Sequence, residues 1–219
     1  MALKSRMDEP GSSVGGTMPT LSRTPDSGPR PKVVKRKVCL VGEQGVGKTS
    51  LIHRFVRGVF DEAYVRTLGA TVSKKTVDLW GPDDRLVRVD LVILDIMGKP
   101  TFLKLFKEAF FSGASGVLAV FDLTRRRTLQ DLVSWVDGAR QTAGPIPVVT
   151  LANKLDLAEL IEVQDSDIEA VLGPLGIPVL KTSAKTGENV EDAFLGLAKE
   201  ILAAGEGSSI ASDGPADGP

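Results

Sequence analysis

Short apolar runs alternate with segments of helical periodicity along the middle of the chain. The apolar runs lie at 37–41, 72–80, 86–94, 116–121, 147–151 and 177–180. Helical patterns follow or separate them at 49–56, 100–111, 128–142, 166–172 and 188–203. Runs that are apolar throughout are typical of parallel strands buried on both faces. The pattern therefore predicts an α/β fold, with a mostly parallel six-stranded sheet flanked by about five helices.

One pair of strands is predicted to be antiparallel. The runs 72–80 and 86–94 are separated by Gly-Pro-Asp-Asp, which is a turn signal, so we expect a hairpin. In mostly parallel sheets, ligands bind outside the carboxyl ends of the strands. Functional side chains are therefore expected in the residues that directly follow each strand.

The two ends of the chain differ from this middle part. Residues 1–32 contain five prolines and few large apolar side chains, which predicts a disordered extension before a domain at 33–204. Residues 205–219 have a similar composition but carry only acidic charges, and we predict a disordered acidic tail there. The extension is either a docking or membrane-surface arm or a plain tail. The plain tail is favoured, because a polybasic cluster and an amphipathic stripe are both missing.

Charge and composition exclude several classes of function. The net charge of −1 argues against a general nucleic-acid surface. A single cysteine and a single histidine exclude a disulfide framework and multi-cysteine or histidine-rich metal sites. No apolar run approaches the ~20 residues of a membrane helix, and the start lacks the apolar middle of a signal peptide. With no cysteine near the end and Ala2 after Met1, we also expect no lipid anchor, a cytoplasmic location and only indirect membrane contact.

The first apolar run leads directly into a phosphate-loop motif. The sequence Gly-Glu-Gln-Gly-Val-Gly-Lys-Thr at 42–49 fits G-x-x-x-x-G-K-[ST] in full. Its glycines let backbone N–H groups face phosphate, and the following helix adds its positive end. Lys48 should reach the β- and γ-phosphates, and the Thr49 hydroxyl should bind Mg²⁺. The candidate phosphate-binding residues are Glu43, Gln44, Gly45, Val46, Gly47, Lys48, Thr49 and Ser50.

Two further motifs indicate the base. Asn-Lys-Leu-Asp at 153–156 follows one predicted strand, and Thr-Ser-Ala-Lys at 182–185 follows another. The carboxylate of Asp156 can accept hydrogen bonds from the N1–H and 2-amino group of guanine, whereas adenine offers neither donor. Together with the phosphate loop and in this order, the motifs resemble those of the small GTPases of the Ras superfamily, across residues 36–203. The resemblance implies a P-loop NTPase fold of the small-GTPase type that binds GTP or GDP with Mg²⁺.

The resemblance also implies roles for individual residues around the base. Asn153 would tie its loop to the phosphate loop, and Lys154 would pack over the base. The Ala184 N–H would meet guanine O6, with Ser183 and Lys185 beside it in the same loop. Phe60 occupies the position of an aromatic side chain that packs on the edge of the base.

The Rab and Ras-like branch is the best match. Thr67, within Arg-Thr-Leu-Gly at 66–69, resembles the switch I threonine that binds Mg²⁺ and the γ-phosphate in the GTP state. Phe-Asp-Leu-Thr at 121–124 resembles the Y-D-x-T of Rab proteins, while the hairpin is a few residues longer than usual. The resemblance implies that effectors, exchange factors and activating proteins bind the switch regions around 60–72 and 95–111.

One motif departs from the family. Where the family has D-x-A-G-Q-E, this chain has Asp-Ile-Met-Gly-Lys-Pro at 95–100. Asp95 should hold Mg²⁺ through water, and the Gly98 N–H should sense the γ-phosphate. Lys99 replaces the glutamine that orients the attacking water, and lysine donates hydrogen bonds but accepts none. We therefore expect slow hydrolysis, and the bulky Gln44 should crowd an incoming activating arginine.

Several alternatives stay open. Arg66 is either an arginine finger supplied in cis or a solvated charge, and the solvated charge is the favoured interpretation. Lys99 could itself neutralise charge on the γ-phosphate, or a partner could supply the missing groups. The candidate catalytic residues are Lys48, Thr67, Gly98, Lys99 and Arg66. The protein is then either a slowly hydrolysing GTPase switch or a GTP-binding interaction module with negligible turnover, a pseudo-GTPase. An ATP-using enzyme is disfavoured by Asp156.

Two other features are expected to be structural. Cys39 should be a core side chain within the first strand. Arg125, Arg126 and Arg127 are interpreted as the solvated start of a helix, with contact to an acidic partner as the less favoured reading.

Overall fold

The computed structural model describes residues 32–60, 70–81, 85–96 and 107–207. Six strands form one sheet in the order β2-β3-β1-β4-β5-β6. Strand β2 runs antiparallel to β3, and every other neighbouring pair is parallel. The strands are β1 (Lys32–Val41), β2 (Ala70–Trp80), β3 (Leu86–Ile96), β4 (Gly116–Asp122), β5 (Val148–Asn153) and β6 (Val179–Lys181).

Helices cover both faces of this sheet. A helical segment at 107–111 and two 3₁₀ turns, Ala158–Leu160 and Gly173–Leu175, complete the described elements. The predicted α/β architecture with a mostly parallel six-stranded sheet is confirmed. The α-helices are α1 (Lys48–Arg57), α2 (Arg126–Gln130), α3 (Leu132–Ala143), α4 (Asp165–Leu172) and α5 (Val190–Gly207).

The sheet separates two apolar clusters. In β1, Val38 and Leu40 face one cluster, formed with α1 and α5, whereas Cys39 and Val41 face the other, formed with α3 and α4. Strand β4 is buried at every position. This two-sided burial explains why the central strands are apolar throughout rather than alternating.

Helices α1 and α5 are joined by a pair of stacked rings. The ring centroids of Phe55 and Phe194 lie 4.1 Å apart with an angle of 4° between the ring planes. The ammonium group of Lys75 on β2 lies 4.2 Å from the centre of the Phe55 ring. This contact packs the C-terminal half of α1 against α5 and β2.

The hairpin is confirmed, with β2 and β3 paired from Ala70–Ile96 to Trp80–Leu86. Strand β1 begins five residues earlier than predicted, because its pairing with β3 starts at Lys32. Helix α5 continues past Ala203 to Gly207, into the segment predicted as a tail, although Gly205 and Gly207 are weak helix formers.

The helix predicted over 128–142 is present, but as two helices, α2 and α3, rather than one. It is divided at Asp131, where the Ser134 hydroxyl donates to the Asp131 carbonyl and competes with the backbone pattern. Of the helix predicted over 100–111, residues 100–106 lie outside the described residues.

Candidate nucleotide-binding site

Four loops meet at one edge of the sheet, each following a parallel strand. The phosphate loop follows β1, and residues 123–125 follow β4. The Asn-Lys-Leu-Asp loop follows β5, and the Thr-Ser-Ala-Lys loop follows β6. The parallel topology of the sheet thus brings together three motifs that are far apart in sequence.

The phosphate loop needs glycine for two reasons. Gly42 and Gly47 adopt positive φ angles of 130° and 104°, which side chains rarely adopt. A Cβ at Gly42 would also lie less than 3.0 Å from the Val120 carbonyl oxygen of β4. A Cβ at Gly47 would come equally close to the Asn153 amide nitrogen. The loop is therefore packed tightly between β4 and the loop after β5.

Lys48 is folded over this loop. Its ammonium group donates to the carbonyl oxygens of Gly42, at 2.8 Å, and Glu43, at 2.9 Å. Two of the three ammonium donors are used in this way, which orients the group within the loop. Burial lowers the pKa of Lys48 to about 8, against the opposing effect of the Asp95 and Glu43 carboxylates. Phosphate oxygens beside it would favour the charged form further.

Thr49 and Asp95 form the candidate metal site. The Thr49 hydroxyl donates to the Asp95 carboxylate, and Asp95 is 2% exposed at the end of β3. A hydroxyl and a carboxylate are the oxygen donors that Mg²⁺ prefers. The donor set therefore fits Mg²⁺, with Thr49 as a ligand and Asp95 acting through water, as the resemblance implies.

Asn153, at the end of β5, connects the phosphate loop to the Thr-Ser-Ala-Lys loop. The Asn-Lys-Leu-Asp and Thr-Ser-Ala-Lys loops are the candidate base-reading loops. The Asn153 amide nitrogen donates to the Val46 carbonyl at 2.8 Å, and its Oδ1 accepts from the Ala184 N–H at 3.1 Å. The Thr182 hydroxyl also donates to Oδ1, at 3.4 Å. Asn153 is fully buried, so these partners hold it in one orientation. The tie between loops that the resemblance implies is thus present in the structure.

The base-reading loops also contact each other. The Ser183 hydroxyl donates to Asp156 Oδ1 at 2.6 Å and accepts from the Thr186 N–H at 3.1 Å. This fixes one carboxylate oxygen of Asp156, which is otherwise exposed. The Ala184 N–H is already bonded to Asn153, so reading guanine O6 would require it to be shared between two acceptors.

Two arginines that the sequence interpretation did not assign to the site lie within it. From α1, Arg54 donates to the Ala184 carbonyl at 2.9 Å and also to the Lys185 carbonyl. Arg125 pairs with Asp122 at 2.8 Å and donates to the Gln44 carbonyl at 3.2 Å. Arg125 is therefore not merely a solvated helix start. The sequence signal for Arg125 was the Asp122 carboxylate at the end of an apolar strand, since a buried acid requires a partner.

Other predicted site residues have less specific surroundings. Ser50 lies in the first turn of α1 and is half-buried. Phe60 is partly buried and packs against the α1–α5 cluster. Arg66, Thr67, Gly98 and Lys99 lie outside the described residues, so their predicted roles stay predictions.

The described part of the chain contains no helix long and apolar enough to span a membrane. A family model for the Ras family matches residues 37–203. The chain is 34% identical over 166 residues to the Ras-related protein Rab-8B of Dictyostelium discoideum, covering 75% of this chain and 79% of the relative. It is 32% identical over 167 residues to Rab-13 of Bos taurus, covering 76% and 79%, and 32% identical over 168 residues to Rab-8A of Gallus gallus, covering 76% and 78%. With the phosphate loop and both base-reading loops joined at one edge of the sheet, the chain belongs to the Ras family of small GTPases.

Proposed function

We propose that the protein is a switch that binds GTP or GDP with Mg²⁺, hydrolyses GTP slowly and binds effectors when its switch loops are ordered. The observation that carries this proposal is the buried Asn153, bonded at once to the phosphate loop and to the base-reading loop. A group held in this way couples recognition of the base to recognition of the phosphates.

The residues would divide the work as follows. Lys48, held over the loop by two carbonyl oxygens, would place its charge against the β- and γ-phosphates. Thr49 and Asp95 would hold Mg²⁺, which would supply positive charge against the phosphates. Asp156 would accept from the guanine N1–H and 2-amino groups, which adenine lacks, so GTP would be favoured over ATP.

The switching itself would involve residues around 60–72 and 95–111, which would contact effectors, exchange factors and activators. Contacts of Thr67 and Gly98 to the γ-phosphate would exist only in the GTP state, giving the two states different free energies. We also propose a cytoplasmic location, and a domain at 33–204 with an extension on either side of it.

A second candidate is a GTP-binding interaction module with negligible hydrolysis. Lys99, at the position of the family glutamine, favours this second candidate, because a lysine ammonium group cannot accept a hydrogen bond from the attacking water. Intact Thr49 and Asp95 favour retained Mg²⁺-dependent hydrolysis instead.

The first measurement is the nucleotide bound to the purified protein, identified by chromatography, followed by single-turnover GTP hydrolysis with Mg²⁺. Mostly GDP with measurable turnover supports the slow switch. Mostly GTP without turnover supports the interaction module.

Lys99→Gln tests the assigned cause. If Lys99 limits the rate, the variant hydrolyses faster than the wild type, whereas Lys199→Gln, at an exposed lysine of α5 outside the proposed switch regions, changes nothing. Equal rates for wild type and Lys99→Gln would contradict our account of Lys99. A reduced rate in Arg66→Ala would favour the arginine finger. An unchanged preference for GTP over ATP in Asp156→Ala would contradict guanine recognition by this residue.

A further inference from the structure

Two cations share one buried carboxylate beside the phosphate loop. Asp122, at the end of β4, is fully buried. Its Oδ2 accepts from Lys154 at 2.6 Å and from Arg125 at 2.8 Å, while Oδ1 accepts from the N–H and hydroxyl of Thr124 at 3.0 and 2.7 Å. Although burial opposes the charged form, these hydrogen bonds hold the pKa of Asp122 below its ordinary value. One negative charge thus meets two positive charges, which leaves an excess of positive charge at this point.

Arg125 extends from this cluster to the phosphate loop. Its second terminal nitrogen donates to the Gln44 carbonyl at 3.2 Å. A Cβ at Gly45 would lie 3.6 Å from the same nitrogen, so the guanidinium group lies against the loop itself. The Arg125 side chain is 40% exposed, and its head group is held at both ends.

The contacts form a continuous chain across the site. The Gln44 carbonyl binds Arg125, Arg125 binds Asp122, and Asp122 binds Lys154 of the base-reading loop. This connection runs beside the one through Asn153 and uses different atoms. The planar guanidinium group can donate to two acceptors in fixed directions, which a lysine ammonium group on a flexible stem reproduces poorly.

We propose that Arg125 is a positioning residue that slows the release of bound guanine nucleotide by fixing the phosphate loop to Asp122. The inference rests on the proposed function. Release requires the phosphate loop to loosen, and the loop is harder to loosen while Gln44 is tied to the base-reading side. Because the contact is to loop backbone, Arg125 affects GDP and GTP alike.

The experiment measures dissociation of a fluorescent GDP analogue, chased with excess GDP in the presence of Mg²⁺. Losing hydrogen bonds to a charged donor in a half-exposed setting should accelerate release about 10-fold in Arg125→Ala. Arg125→Lys keeps the charge without the fork and should also release faster than the wild type. The matched control is Arg127→Ala, in the same arginine run, where an 82% exposed side chain pairs with Asp131, four residues further along the chain. This control should release nucleotide at the wild-type rate.

The same variants are unfolded in urea with nucleotide and Mg²⁺ removed. A merely structural Arg125 would lower stability in this experiment while leaving the release rate at that of Arg127→Ala, and that result overturns the inference. If Arg125→Ala does not fold, Arg125→Lys decides, and a wild-type release rate in it overturns the inference. If the wild type itself does not retain the GDP analogue, the proposed function fails and the inference falls with it. If the wild type retains the GDP analogue but Arg125→Ala and Arg127→Ala release it at equal rates, the inference is overturned and the proposed function stands.

Discussion

The two glycines that flank α1 offer a direct test of how the phosphate loop is held. Gly47 precedes the helix with φ 104°, and Gly58 follows it with φ 71°. A Cβ at Gly58 would meet nothing within 4 Å, whereas a Cβ at Gly47 would collide with the Asn153 amide nitrogen. Alanine at either position therefore imposes a strained backbone conformation, but only Gly47→Ala also displaces Asn153.

The difference between the two variants can be estimated from the contacts. Placing alanine in the left-handed region costs roughly 1–2 kcal/mol at either position. Asn153 is buried and bonded on both sides, so moving its amide leaves the Val46 carbonyl without this donor. A buried polar group without its partner costs about 1–3 kcal/mol more. The extra cost should appear in nucleotide binding, because the lost bond joins the phosphate and base loops.

The assay compares affinity for a fluorescent GDP analogue with urea unfolding of the nucleotide-free protein. Gly47→Ala should lose about 10- to 100-fold in affinity relative to Gly58→Ala, corresponding to the extra cost of one broken buried bond. Gly58→Ala should lose stability with little change in affinity. Equal affinities in the two variants would refute the assignment of Asn153 as the link between the loops.

Three further predictions concern the core and the buried charges. Burial raises the pKa of the Cys39 thiol to about 12. This thiol, the only one in the chain, should therefore resist aromatic disulfide reagents at pH 8 and react only as urea unfolds the protein. Rapid labelling of the native protein would contradict this burial. Phe194→Ala removes the ring stacked on Phe55 and should lower the free energy of unfolding by about 3–5 kcal/mol in urea titrations, with a smaller loss in Phe194→Leu. Because the pKa of Asp122 is lowered in the folded state, the stability from its charged form is present above the unfolded pKa of about 3.9 and is lost as pH falls through the folded pKa. Unfolding of the nucleotide-free protein should therefore depend less on pH between about 5 and 2 in Asp122→Asn than in the wild type, and parallel pH profiles would disprove this.

The fold was largely predictable because its strongest signals are local. Strand β4 is buried at every position and reads as an apolar run, and the Gly-Pro-Asp-Asp turn places the β2–β3 hairpin. The start of β1 was not predictable in this way. Its first five residues, Lys-Val-Val-Lys-Arg at 32–36, mix valine with basic residues and are exposed or half-buried. They become a strand because they pair with β3, which is a contact between distant parts of the chain.

The site shows the same division between local and distant information. The phosphate loop and Asn153 could be found in the sequence because their chemistry imposes fixed residue types at fixed spacing. Arg54 could not, because it acts through backbone carbonyls of a loop far along the chain, and a carbonyl has no residue type that a motif could record. For Arg125, the sequence could indicate the pairing with nearby Asp122 but not the bond to the distant Gln44 carbonyl.

The family's nucleotide binding and its hydrolysis transfer to this chain on different grounds. The residues proposed to recognise base and phosphate are held by the protein's own hydrogen bonds, so each contact predicts the effect of a substitution on binding. The proposed rate of hydrolysis depends instead on Lys99, whose effect follows from the donor chemistry of one side chain. Binding and hydrolysis should therefore separate experimentally. Substitutions at Gly47 or Arg125 should change nucleotide affinity or release, whereas Lys99→Gln should change turnover in protein that still retains nucleotide. A loss of nucleotide in Lys99→Gln comparable to that in Gly47→Ala would mean that Lys99 belongs to the binding machinery.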